Sequence, residues 1–95
     1  MLFADKIRQL REEKQLLQRQ LASSLEIDTP MYSKIERGER PAKREQVIFI
    51  AKLLNIDEKE ILTLWLADKI IEAVVNENEL ASNAFKIAQH YIAEK

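Results

Sequence analysis

The sequence has no cysteine, one glycine and two prolines. Without cysteine, the chain forms no disulfide, thiolate metal site or thiol nucleophile. No apolar run approaches the ~18 residues that a membrane span requires. The N-terminal segment becomes charged at Asp5, so it lacks the apolar core of a secretory signal. Ninety-five residues is the size of one compact domain. From the lack of cysteine and of a targeting signal, we expect a cytoplasmic protein.

Charge is abundant and unevenly distributed. The chain is 46% hydrophobic and 33% charged, a balance typical of a folded globular protein. Its net charge is −1, but residues 1–50 carry ten Lys/Arg against eight Asp/Glu, whereas residues 51–95 carry five against eight. All six arginines lie in the first half. This polarity suits contact with a phosphate backbone better than the net charge suggests, so the first half is the candidate nucleic-acid-binding half.

The spacing of apolar residues predicts an all-α protein. No segment alternates convincingly enough to predict a strand, and there is no internal repeat or low-complexity segment. The predicted helices cover residues 3–14, 18–25, 29–37, 44–55, 58–75 and 80–95.

Residues that start and stop helices support these limits. Asp28 and Thr29 are both candidates for the N-cap of the third helix, and Pro30 suits its first turn. Gly38 is expected to end that helix. Asp57 is expected to cap the fifth helix, and Glu60 completes a capping box by residue type.

Two short helices, "QRQLASSL" and "TPMYSKIERG", flank a three-residue corner "EID". A helix-turn-helix requires apolar residues of the first helix to meet those of the second, with a small residue where the helices cross. Ala22 is that small residue, and the outer face of the second helix is left free to enter a major groove. The apolar residues expected at this crossing are Leu21, Leu25, Ile27, Tyr32 and Ile35.

The chain from about Ile7 to Leu62 resembles the lambda-repressor-like (Xre-type) helix-turn-helix regulators of bacteria and phages. The matching residues are Arg11, Gln18, "LA" at 21–22, Leu25, Ile27, "SKIERGER" at 33–40, Pro41 and "IAKLLNID" at 50–57. The resemblance implies a five-helix DNA-binding domain over residues 1–62. Residues 63–95 are then a C-terminal extension, in which the sixth helix forms a helical hairpin with the fifth.

The resemblance also implies site residues. Gln18 matches a glutamine that bonds a phosphate and braces the recognition helix, which is the third helix. The positions on that helix that face base edges are occupied by Thr29, Pro30, Ser33 and Lys34. Arg37, Arg40 and Lys43 match contacts to the sugar–phosphate backbone. The implied DNA-binding set is Gln18, Arg19, Thr29, Pro30, Ser33, Lys34, Arg37, Arg40 and Lys43.

Other matched positions concern the scaffold. Arg11 and Glu36 match an internal ion pair between the first and third helices. Relatives commonly have Ser or Thr where this chain has Leu17, and glycine where it has Glu26. Pro30 biases the residue before it away from helical angles, so it favours a recognition helix that begins one residue late.

Several side chains have a structural interpretation that outweighs a functional one. Tyr32 is expected in the core, and Trp65 is expected to pack rather than bind a ligand. His90 has neither a carboxylate nor a second histidine at ligand spacing, so it is expected on the surface. Ser23 and Ser24 have no base partner. We therefore expect no enzyme activity, metal site or cofactor.

The last third carries more apolar surface than a five-helix domain needs. We expect a homodimer interface there, formed by Trp65, Ile70, Ile71, Val74, Val75, Phe85 and Tyr91. A monomer with a larger core is the competing interpretation. The overall hypothesis is a homodimeric regulator that binds a pseudo-palindromic operator. The alternatives are an antitoxin or similar module whose C-terminal helices bind a partner protein, and an N-terminal fragment of a larger regulator.

Overall fold

The computed structural model describes residues 1–94, which contain six α-helices and no strand. The all-α prediction is therefore confirmed, with limits within a few residues of those expected. The helices are α1 Leu2–Glu13, α2 Gln18–Ser24, α3 Thr29–Glu36, α4 Arg44–Leu53, α5 Glu58–Val74 and α6 Ala81–Ala93.

The helices α1, α2, α3, α4 and α5 share one apolar core, and α6 contributes no residue to it. Leu64 and Trp65, on α5 just beyond the last core residue, pack against its edge. The buried core residues are Phe3, Ile7, Leu21, Ala22, Tyr32, Ile35, Ala42, Val47, Ile50, Ala51, Leu54, Ile61 and Leu62.

Glutamines satisfy the backbone at the starts of two helices that lack a Ser, Thr, Asp or Asn cap. The side-chain Oε1 of Gln20 accepts a hydrogen bond from the Leu17 amide at 2.7 Å, and Gln46 does the same for Lys43 at 2.9 Å. Gln20 thus supplies one half of a capping box at α2, while Leu17 has no side-chain acceptor for the other half.

Helices α1 to α4 all end on a residue in the left-handed conformation. These residues are Gln15 (φ 56°), Glu26 (φ 59°), Gly38 (φ 75°) and Asn55 (φ 53°). At each end the residue after this one donates its amide to a carbonyl five positions earlier, the pattern of a Schellman motif. Gly38 adopts this conformation freely and Asn55 tolerates it, whereas Gln15 and Glu26 each cost about 1 kcal/mol of backbone strain.

Helix α5 ties the C-terminal part of the chain to α1. It runs without a break through residue 62, and Asp68 on it is only 7% exposed. The two carboxylate oxygens of Asp68 accept hydrogen bonds from the backbone amides of Leu2 and Phe3, each at 2.9 Å. Asp68 therefore caps a different helix from its own, a role that its local sequence does not indicate.

Helix α6 stands apart from the rest. It buries none of its side chains and has no extensive packing with any other described helix. The radius of gyration is 15.3 Å, above the roughly 12 Å of a compact chain of this length. The predicted helical hairpin of α5 and α6 is thus not confirmed within one chain. No helix within residues 1–94 is long and apolar enough to cross a membrane.

Candidate nucleic-acid interface

The corner between α2 and α3 is built as the sequence predicts. Ala22 and Tyr32 are fully buried at the helix crossing, and Leu21 and Ile35 lie in the same core. The left-handed Glu26 turns the chain, and the Ile27 amide closes the turn on the Ala22 carbonyl at 3.1 Å. The two helices are thereby held at a fixed angle.

The recognition helix begins at Thr29, where its predicted range of residues 29–37 begins, and the late start that Pro30 favours is not observed. Asp28 is the N-cap, and its Oδ1 accepts a hydrogen bond from the Met31 amide at 2.7 Å. Pro30 is the second helical residue. Amides in a first turn have no partner within the helix, so its missing N–H breaks no helical bond.

The outward face of α3 carries the residues predicted to meet base edges. Thr29, Pro30 and Lys34 are exposed and Ser33 is partly exposed, whereas Tyr32, Ile35 and Glu36 are buried. The helix therefore has one face committed to the core and a polar face open to solvent.

The segment after α3 carries the residues predicted to touch phosphates. Gly38 ends the helix, and the amides of Glu39 and Arg40 both reach the Lys34 carbonyl, at 2.9 and 3.3 Å. This turn exposes Arg40 and, further on, Lys43. Neither side chain forms an ion pair with any residue of the described chain.

Glu39 lies at the same edge, although it is not among the predicted site residues. Its carboxylate pairs with the Arg37 guanidinium, and both groups are more than half exposed. Arg37 is thus partly neutralised within its own chain, unlike Arg40 and Lys43. The negative charge beside a predicted phosphate contact was visible in "ERGER", but the sequence did not show that it would face Arg37.

A polar network braces α1 and α2 against the inner side of α3. Arg11 donates to both carboxylate oxygens of Glu36, at 2.8 and 2.9 Å, and also to the Leu16 carbonyl at 2.8 Å. Gln18 donates its side-chain amide to Glu36 Oε1 at 3.2 Å. The structure thus brings together Arg11, Glu36 and Gln18, three residues that the resemblance singled out.

Burial and hydrogen bonding set the charges of this network. Burial would raise the pKa of Glu36, but the hydrogen bonds from Arg11 and Gln18 outweigh it and lower the pKa below its ordinary value. The bond to Glu36 raises the pKa of Arg11. The pKa of Tyr32 is also raised, first by burial and then by the adjacent carboxylate. An ionised Glu36 beside a charged Arg11 and a neutral Tyr32 is therefore the stable state.

Trp65 stabilises the segment that carries Arg40 and Lys43. Its indole Nε1 donates to the Ala42 carbonyl at 3.0 Å, and the Lys69 ammonium lies 4.4 Å from the ring centroid. Part of the ring packs on the core. Trp65 therefore has a structural role within its own chain, in addition to its predicted place in a dimer interface.

The other residues predicted for a dimer interface lie at the surface. Ile70, Ile71, Val75, Phe85 and Tyr91 are exposed and Val74 is partly exposed.

His90 is exposed as predicted. It does have a neighbouring carboxylate, because its Nε2 lies 2.8 Å from Oε1 of Glu94, one helical turn away. The expectation of no acidic neighbour was wrong because it overlooked the i, i+4 spacing. No group of three or more His, Asp or Glu side chains in the described chain could hold a metal ion.

The buried corner and the open polar face of α3 define a helix-turn-helix protein. The helix-turn-helix domain family matches residues 4–65, well over half of the chain, and the protein belongs to that family. No curated protein and no solved structure gives a significant match. The family is a DNA-binding one and is typically non-enzymatic. Asp68 and all of α6 lie beyond the matched residues.

Proposed function

We propose that this protein is a sequence-specific transcriptional regulator of the lambda-repressor-like type. It binds a pseudo-palindromic operator as a homodimer, with α3 in the major groove. The observation that carries the proposal is the division of α3 into two faces. Tyr32 and Ile35 anchor it from within, while Thr29, Ser33 and Lys34 face outward. A rigid helix with a free polar face is what direct readout of bases requires.

The proposed contacts follow from side-chain chemistry. Lys34 donates to the O6 and N7 atoms of guanine, and Thr29 offers a methyl to thymine or a hydroxyl to a polar edge. Arg40 and Lys43 bind phosphates and position the protein without specifying sequence. Arg19, exposed on α2, adds a further phosphate contact. Pro30 contributes shape alone, because it has no N–H for a phosphate.

Dimerisation follows from the apolar surface of the C-terminal extension. A single half-site rarely gives enough affinity to find a target among many non-specific sites. In one chain Ile87 is 72% exposed, and Leu80, Phe85, Tyr91 and Ile92 on or beside α6 are also more than half exposed. A second copy that covers this face adds the second half-site by two-fold symmetry. Residues 1–62 then bind DNA and residues 63–95 dimerise, in the cytoplasm and without a cofactor or catalysis.

The same exposed face of α6 also supports a second candidate. An antitoxin-like module would use that face to bind a different protein, with DNA binding serving a secondary role. Charge-matched substitutions separate the two functions. Ile87→Glu places a charge in the apolar face of α6, whereas Gln89→Glu adds the same charge at another exposed position of the helix.

The test combines selection of duplexes from a random pool with sedimentation of the purified protein. The regulator proposal expects a palindromic consensus, a dimer for wild type and Gln89→Glu, and a monomer for Ile87→Glu. The Ile87→Glu monomer should keep its affinity for a single half-site and lose at least about tenfold for the palindrome. A wild-type monomer at micromolar concentration, or a selection without any consensus, would contradict the proposal.

A further inference from the structure

Helix α1 is held at both ends by buried carboxylates from two other helices. At its start, Asp68 of α5 accepts the amides of Leu2 and Phe3, each at 2.9 Å. In its last turn, Arg11 binds Glu36 of α3 at 2.8 and 2.9 Å. Because α1 also packs on both α3 and α5, it connects the recognition helix to the helix that leads into the C-terminal extension.

The Asp68 contact restricts movement more than apolar packing would. Two oxygens of one carboxylate bind two successive amides, and such bonds weaken steeply with misalignment. Apolar side chains, by contrast, tolerate sliding and rotation, because dispersion and burial are not directional. A buried carboxylate at this position therefore fixes both the rotation of α5 about its axis and its position along that axis relative to α1.

Trp65 provides a second directional contact one turn earlier on α5. Its Nε1 donates to the Ala42 carbonyl at 3.0 Å, in the segment between α3 and α4. Past Asp68, Ile70, Ile71 and Val75 are exposed, and α6 follows. Within α5, Asp68 is thus the last residue that is hydrogen-bonded to the segments that precede this helix.

We infer that Asp68 is a positioning residue that sets the distance between the two recognition helices of the dimer, and hence the half-site spacing of the operator. The inference rests on the proposed homodimeric function. Adding one base pair moves a half-site by about 3.4 Å and rotates it by about 35°. Only a stiff connection between recognition helix and dimer interface discriminates between such spacings.

The experiment compares wild type, Asp68→Asn, Asp68→Ala and the control Glu72→Gln. Glu72 lies one turn further along α5, is exposed, and loses the same charge when replaced by Gln. The probes are the palindromic duplex recovered by selection, the same duplex with its spacer changed by one or two base pairs in either direction, and a duplex with one half-site. Circular dichroism at the binding temperature checks that each variant is folded.

Wild type and Glu72→Gln should lose about tenfold in affinity when one base pair is added or removed. Both Asp68 variants should lose less than about threefold for that change, while they bind the single half-site within about twofold of wild type. Asp68→Asn serves if Asp68→Ala is unstable, because the amide keeps the shape and one acceptor oxygen.

Three results would overturn the inference. If both Asp68 variants keep the wild-type spacing profile, Asp68 does not set the spacing. If both variants lose folding or half-site binding, Asp68 has a structural role alone. If wild type itself binds as a monomer or has no spacing preference, the homodimer proposal fails first, and the inference fails with it for that separate reason.

Discussion

Arg11 of α1 and Glu36 of α3 are joined by two hydrogen bonds, from Nε to Oε2 at 2.8 Å and from Nη2 to Oε1 at 2.9 Å. Glu36 is 1% exposed, although it belongs to the recognition helix. Its carboxylate faces inward, where Oε1 also accepts a hydrogen bond from the side-chain amide of Gln18 at 3.2 Å. The helix that is proposed to enter DNA is therefore held on its buried face by an ion pair with α1.

Removal of the arginine should destabilise the fold strongly. Arg11→Ala leaves the buried Glu36 carboxylate without its cation and is expected to cost about 3–5 kcal/mol of unfolding free energy. Arg8→Ala is the matched control, because Arg8 pairs only with exposed carboxylates on the same helix, and it should cost less than about 1 kcal/mol. Urea denaturation measures both values. Similar losses for the two variants would contradict a buried, energetically important pair.

Acid should destabilise the protein through Glu36. Its folded-state pKa lies below its ordinary value, so its contribution is fully present above about pH 5 and is lost as the pH falls through the folded pKa. The group adds up to about 1.4 kcal/mol per pH unit to the slope of stability against pH. Glu36→Gln should remove this part of the slope, whereas Glu72→Gln at an exposed position should not. Urea titrations at several values between about pH 2 and 6 measure the slopes. Equal slopes for wild type and Glu36→Gln would refute the assignment.

The left-handed residue at the helix-turn-helix corner offers a route to higher stability. Glu26 has φ 59° and its side chain is exposed. Glu26→Gly should therefore stabilise the protein by about 0.5–1 kcal/mol, because glycine adopts this conformation without a Cβ clash. Ser23→Gly, inside the neighbouring helix, should destabilise it by a similar amount. Thermal unfolding monitors both variants, and a loss of stability in Glu26→Gly would show that the Glu26 side chain makes a compensating contribution.

Local sequence signals were sufficient to predict most of the fold. Apolar spacing and cap residues placed all six helices, and the demand for a small residue at a helix crossing identified Ala22. Residue type alone does not predict all of the left-handed residues that follow the helices. Gly38 and Asn55 are of types that favour a left-handed turn. Gln15 and Glu26 are not, and at both of these ends the next residue is apolar and packs on the core.

The features that the sequence did not reveal depend on contacts between distant segments. Asp68 and Phe3 are 65 positions apart, and nothing in "LWLADKIIE" distinguishes Asp68 from an ordinary exposed acid on a helix. Local patterns do not encode these contacts, since each one needs two segments that only the tertiary fold brings together.

Substitutions on the recognition helix and after it should affect DNA binding in different ways. Lys34→Ala should relax preference at one or two operator positions and cost about 1–3 kcal/mol. Arg40→Ala should weaken all sequences alike and reduce the salt dependence by about one unit per subunit. Lys59→Ala, at the start of α5 and outside the proposed contact set, is the control. Titration of operator and random duplexes over a range of salt concentrations measures all three. Unchanged affinities for both Lys34→Ala and Arg40→Ala would place the groove contact elsewhere.

Glu39 should lower the affinity for DNA. Its carboxylate pairs with Arg37 at the edge that faces phosphates in the proposed complex, and the pair is exposed. Exposed pairs are worth less than about 1 kcal/mol, so Glu39→Gln should cost little stability. The substitution frees the Arg37 guanidinium and removes a repulsive charge, so it should tighten binding to operator and random DNA alike, by about two- to fivefold.

Glu58→Gln, which removes the same charge at the start of α5, controls for the change in net charge. In a double substitution with Arg37→Ala, the gain from Glu39→Gln should shrink, because part of it depends on the released guanidinium. Fluorescence anisotropy at two salt concentrations provides the affinities. If Glu39→Gln and Glu58→Gln tighten binding equally, the effect belongs to net charge alone, and the segment after α3 does not lie against the phosphates.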